Sequence, residues 1–97
     1  MVVLKRASDL KVVRVNRLVE DVLGKSKAQL LGLSSGELFQ GEQADRDTET
    51  DLTAIRDGNL VELPEQLIQI PGGSARWVRI KKLALFDTEG NVSHVLE

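Results

Sequence analysis

The 97-residue sequence predicts an α+β domain built around an antiparallel sheet. Three observations carry that reading. Short β-branched runs stand at both ends of the chain. Capped helical pieces are grouped between them. The hydrophobic period then changes from helix-like to strand-like at Leu60. A chain of this length suits one domain with a single hydrophobic core.

Val2-Val3-Leu4, a turn at Ala7-Ser8-Asp9 and residues 11–15 predict a first hairpin. Asn16 follows at once as an N-cap, since its side-chain oxygen can accept a free backbone N–H. Leu18, Val19, Val22 and Leu23 recur at helical spacing, and Gly24 ends the run. Ser26 and Gln29 form a capping box for a second short helix, closed by Leu30-Leu31-Gly32. Ser34-Ser35-Gly36-Glu37 repeats that logic before Leu38-Phe39. Gly41–Asp57 predicts a longer amphipathic helix, terminated by Asp57-Gly58-Asn59. Ala44, Thr48, Leu52 and Ile55 are expected on its packed face, with Glu42, Asp45, Asp47, Glu49 and Asp51 on the solvated remainder. Residues 61–70 read as one strand, Pro71-Gly72-Gly73-Ser74 as a turn and 76–86 as a long partner strand. A second turn at 87–91 leads into a last strand over 92–96. The chain stops inside that strand, which therefore reads as incomplete. Leu96-Glu97 also matches the pair a cloning site leaves before an expression tag.

Composition narrows the function. The absence of cysteine excludes disulfides, a thiolate metal site and a cysteine nucleophile. The aromatics are Phe39, Trp77 and Phe86, and the net charge of -2 is scattered. Neither a basic patch nor a stacking platform is visible, so no nucleic-acid partner is expected. No signal pattern opens the chain and no apolar run approaches the ~20 residues of a membrane span. A cytoplasmic domain without direct membrane contact is expected, in a parent that could itself be membrane-anchored.

Three segments together resemble the PAS family across nearly the whole chain. The first is Val12-Val13-Arg14-Val15-Asn16 with Val22-Leu23-Gly24-Lys25-Ser26 and Gln29-Leu30-Leu31-Gly32, similar to that family's strand, "LGYS" and "ELLG" pieces. The second, Gly72-Gly73-Ser74-Ala75-Arg76-Trp77-Val78, is similar to its "DGSxRWV" hairpin. The third runs from Lys82 to Val92 and resembles "K-x-P-L-x-D-x-x-G-x-V". Gly72 stands where the family usually has Asp, and Ala84 where it usually has Pro. The resemblance implies a PAS-like five-stranded antiparallel sheet with short helices packed on one face, enclosing a small pocket. It also implies a module that senses a ligand or dimerises and passes the change to an effector.

Several chemistries known in that family find no support in these residues. Leu38-Phe39-Gln40-Gly41 superficially resembles the "RFLQG" of the light-sensing flavin branch, but the reactive-cysteine position falls on Gly36. The flavin-adduct photocycle is therefore excluded. That branch's polar pocket residues also look replaced by Ile68 and Val78, so no flavin is expected. Haem is not expected either, because Gly41–Asp57 contains no histidine and His94 is the only one in the chain. Asp45, Asp47, Glu49 and Asp51 are dense, but alternate positions on a helix point apart, so a metal or hydrolytic site is not expected. No Ser/His/Asp constellation assembles around a single edge histidine.

If the later strands follow the family pattern, Gln66, Ile68, Val78, Ile80 and Ala84 face the helices by period two. Arg56, Gln66 and Lys82 are then the polar candidates for a small ligand, with Ile68, Val78 and Ile80 lining the pocket. The plainer reading has Gln66 bonded locally and Lys82 reaching out to solvent. Trp77, Leu83 and Leu85 would form an apolar patch on the opposite face, which a lone soluble domain rarely leaves bare. In PAS proteins an N-terminal helix or a second protomer commonly covers that face. A homodimer through the outer sheet face is therefore expected. The expected function is a non-catalytic sensing and dimerisation module regulating a histidine kinase or diguanylate cyclase elsewhere in its chain. The alternative is a standalone protein–protein interaction domain without a ligand, and last comes a small enzyme of unrelated chemistry.

Overall fold

The computed structural model describes residues 1–70 and 72–97. Strands β1 (Val3–Arg6) and β2 (Val12–Val15) pair antiparallel as the expected first hairpin. Helix α1 (Arg17–Leu23) begins where the Asn16 side chain accepts the Val19 N–H, and ends at left-handed Gly24. Ser26 and Gln29 make both halves of the capping box of α2 (Lys27–Leu30). At α3 (Ser35–Leu38) the Glu37 carboxylate accepts both the N–H and the hydroxyl of Ser34. The long helix α4 (Gly41–Asp57) stops at Gly58, whose φ of +65° suits glycine. A side chain there would also sit 3.3 Å from the Phe86 ring.

The remaining strands are β3 (Leu60–Glu62), β4 (Gln66–Gln69), β5 (Ala75–Val78), β6 (Lys81–Phe86) and β7 (Val92–Leu96). A five-stranded antiparallel sheet runs β2-β1-β7-β6-β3, and β4-β5 form a separate hairpin. Two strands read as continuous in the sequence are thus each broken in two. Pro64 explains the break, because it has no N–H to give the ladder. The Leu63 N–H donates to the Ile80 carbonyl at 2.9 Å, and regular pairing resumes only at Gln66 opposite Val78. Below the break Glu62 faces Lys81, so three residues on one side stand against two on the other. That extra residue switches inward positions from odd-numbered Val61 to even-numbered Gln66 and Ile68. Pro71 of the expected tight turn lies outside the described residues. The 87–91 turn closes with Asp87 Oδ1 accepting the backbone N–H groups of Glu89 and Asn91.

All four helices pack on one face of the sheet. Val12, Val19, Leu30 and Leu38 make a core cluster joining α1, α2 and α3 to β2. Across the inner face, Val12, Lys5, Val95 and Ala84 are cross-strand neighbours and all buried. One of the four is a lysine, which must find compensation.

Candidate functional site: a cavity over a buried ion network

The compensation comes from α4. Its packed face is Ala44, Asp47, Asp51 and Ala54, not the predicted stripe of Ala44, Thr48, Leu52 and Ile55; Leu52 is 53% exposed. Asp47 and Asp51 lie one turn apart and point together into the core, which overturns the expectation of a solvated acidic face. Lys5 from β1 and Lys82 from β6 meet them from either side of the central strand β7. Lys5 Nζ donates to Asp47 Oδ2 and Asp51 Oδ2, both at 2.7 Å, and to Ser35 Oγ at 3.1 Å. Lys82 Nζ donates to Asp47 Oδ1 at 2.7 Å, Asp51 Oδ1 at 2.9 Å and the Asp47 carbonyl at 2.9 Å. Each carboxylate therefore gives one oxygen to each ammonium, a closed square of two cations and two anions. Both lysines are saturated with three acceptors.

Burial by itself disfavours every charge in this square. At Lys5 and Lys82 the neighbouring carboxylates outweigh burial and hold both ammonium pKa values above the ordinary lysine value. At Asp47 burial is likewise outweighed, here by Lys5 and Lys82, and the carboxyl stays below its usual range. Glu97 is the exception. Its Oε2 is buried without a hydrogen bond, 3.6 Å from Lys82 Nζ and 3.9 Å from Lys5 Nζ. Burial, reinforced by Asp47, pushes its pKa above the ordinary value against the pull of the two lysines. A raised acid favours the fold while protonated. Its contribution is complete below the unfolded value of 4.5 and is lost as pH rises through the folded value. Glu97→Gln is therefore expected to raise the urea midpoint at about pH 8 and to leave it unchanged at about pH 4.

Asp47, Asp51 and Glu97 offer oxygens within 4.8 Å of one another, a spacing that could hold a metal ion. The two ammonium groups already occupy the aspartate oxygens, so a cation there would have to displace both lysines. The square as it stands is an ion network closed on its own charges.

Above it opens a cavity of about 750 Å³ between α1, α4 and the β4-β5 hairpin. Gln66, Ile68, Val78 and Ile80 lie along its wall, together with Val19, Leu38 and Phe39. Two of the polar candidates do not belong to it. Arg56 is exposed near the far end of α4 and pairs with adjacent Asp57 at 2.9 Å. Lys82 is wholly buried in the ion network beneath, neither presented to a ligand nor reaching solvent. Trp77 also departs from expectation. The break at Pro64 puts it on the β4-β5 hairpin, 67% exposed at the cavity wall, away from the sheet that carries Leu83 and Leu85.

On the outer face of that sheet, Leu4, Leu96, Leu83 and Leu60 are direct cross-strand neighbours on four adjacent strands. Leu60 and Leu83 are exposed, and Leu4 and Leu96 half-buried. Sequence reasoning had only Leu83 and Leu85 of this face. The row needed the register to be seen. Lys5 and Glu97 were also missed, although an inward lysine in a strand opposite an acidic helix is a readable signal.

A five-stranded antiparallel sheet thus carries the helices on one face, with a cavity between them. The family model of the PAS fold matches residues 1–97, and the chain belongs to that family. Domains of this family are generally signal-sensing. Comparison with curated proteins finds no match. Among solved structures, the light-state LOV domain of the blue-light photoreceptor Aureochrome1 is 25% identical, with a TM-score of 0.76 over 98% of this chain and 75% of that one. A light-oxygen-voltage domain studied with a flavin analogue is 23% identical, with a TM-score of 0.76 over 98% and 71%. VqmA bound to DPO is 16% identical, with a TM-score of 0.82 over 98% of this chain and 48% of that one. These likenesses to photoreceptor domains give no support to setting flavin aside as a ligand class. What the sequence excludes is the cysteinyl adduct, for want of a thiol. No helix among the described residues is long and apolar enough to cross a membrane.

Proposed function

We propose that this domain is a sensing and dimerisation module that regulates an effector in the same chain, a histidine kinase or a diguanylate cyclase. One observation supports this above the others. The same strands carry the ion network beneath the cavity on their inner face and the leucine row on their outer face. Occupancy of the cavity would bias the packing of the sheet, and with it the way two outer faces meet. The second protomer covers the leucine row, and the segment beyond the last strand carries the shift to the effector. A standalone interaction domain would use the same face without the cavity.

The reading is tested by light scattering. The unaltered domain is expected to dimerise, and Leu83→Glu to weaken the dimer by about thirtyfold or more, as for a residue near an interface centre. A strict monomer at high concentration, or a dimer indifferent to Leu83→Glu, would sink the proposal.

A further inference from the structure

The cavity's chemistry is two-sided in charge. Lys5, Asp47 and Glu97 reach its floor; the ammonium groups of Lys5 and, beneath it, Lys82 are saturated by Asp47 and Asp51, and the unbonded oxygen of Glu97 lies beside them. An anion entering that end would find no free donor among these groups and one buried carboxyl. The upper wall is different. Arg46, Arg76, Arg79 and Lys81 line it and are exposed, and among the described residues none of them makes an ion pair. Glu49 shares this lining, and Glu62 and Glu65 lie beside Arg79 and Lys81, which sets Arg46 and Arg76 apart. In a chain of net charge -2, exposed arginines without an ion pair on the lining of an otherwise largely apolar cavity stand out.

Two of these cations belong to elements that a specific contact holds together. The Gln43 side chain on α4 accepts the Gln69 N–H at 2.8 Å and donates to the Gln69 carbonyl at 3.3 Å, clasping β4 to the helix. Arg46 is one turn beyond Gln43, hence on the same side of α4. Arg76 stands opposite Ile68 on the partner strand, and Ile68 is buried against the cavity. Between the cationic opening and the floor the wall is aliphatic and aromatic: Val19, Leu38, Phe39, Ile68, Val78 and Ile80.

We propose that the cavity takes an amphipathic monoanion, an apolar body ending in a single carboxylate or like group. The anionic end is held at the opening by Arg46 and Arg76, and the apolar body points inward. Guanidinium forks match a carboxylate, and the aliphatic wall supplies burial without asking for further polar partners. This rests on the cavity being a ligand site, as proposed above, and adds the class and orientation of the ligand.

Isothermal titration calorimetry reads binding directly, with the fluorescence of Trp77, the only tryptophan, as a second signal. Decanoate, 1-decanol and decylamine are titrated as probes of one length and three charges. Decanoate is expected to bind about fivefold or more tighter than the alcohol, the gap closing in high salt, and decylamine more weakly than either. Arg46→Gln with Arg76→Gln should bring decanoate to the affinity of the alcohol and leave the alcohol unchanged. Equal binding of acid and alcohol to the unaltered domain, or an effect of the arginine changes on both alike, overturns the charge inference and leaves the cavity reading standing. Failure of all three probes to bind overturns this inference through the cavity reading itself.

Discussion

Asp51→Ala is expected to be the most damaging single change in this domain, costing about 3–5 kcal/mol of stability. Asp51 is wholly buried and accepts from both Lys5 and Lys82, so its removal strands two ammonium groups in the core with half their anionic partners gone. Small domains are stable by only ~5–15 kcal/mol, so a variant unfolded at 37 °C is within range. Urea denaturation of the purified variant reads the loss directly. A companion experiment separates the network's worth from the cost of breaking it. Replacing the four charges and Glu97 together, Lys5→Met, Asp47→Leu, Asp51→Leu, Lys82→Met and Glu97→Leu, should restore most of the stability, because no charge then remains buried without a partner. If Asp51→Ala lost less than about 1 kcal/mol, the square would be no more than a surface-like ion pair, and its burial would have been misjudged.

Leu30→Ala is expected to cost about 2–5 kcal/mol, by lost transfer energy and by the cavity left behind. Leu30 has no exposed surface and ties α2 to Val12, Val19 and Leu38. Val19 and Leu38 also line the cavity, so the loss reaches beyond global stability. The wall formed by α1 and α3 should loosen, and hydrogen exchange in those helices should quicken more than in β6 and β7. Uniform acceleration across all elements would mean that the helical layer and the sheet open as one unit.

These two sites differ in how legible they are from the residues. Leu30 closes a capped helix between Ser26 and Gly32, and its burial follows from that local grammar. Local signals of this kind placed the first hairpin, all four helices, the 87–91 turn and the last strand. Each rests on contacts within a few residues: Asn16 to Val19, Ser26 to Gln29, Asp87 to Asn91. Asp51 is another matter. Nothing within a turn of it distinguishes it from exposed Asp45 or Glu49, and the apolar stripe through Leu52 gave the wrong face. Its partners are 46 and 31 residues away. The hairpin break was half readable, since Pro64 was in plain view, but its consequence for Trp77 depended on where pairing resumed.

The sequence by itself therefore determined the α+β class, the order of the elements, their caps and turns, and the resemblance that the family match then bore out. It also excluded thiol chemistry outright. The tertiary structure alone decided which face of α4 is packed, that Lys5 and Lys82 belong to the core, which residues border the cavity and which leucines align outside. The physical reason is range. Caps and turns are settled by neighbours along the chain. A buried charge is settled by whether opposite charges from distant strands and helices arrive at the same place, and only the assembled sheet brings them there.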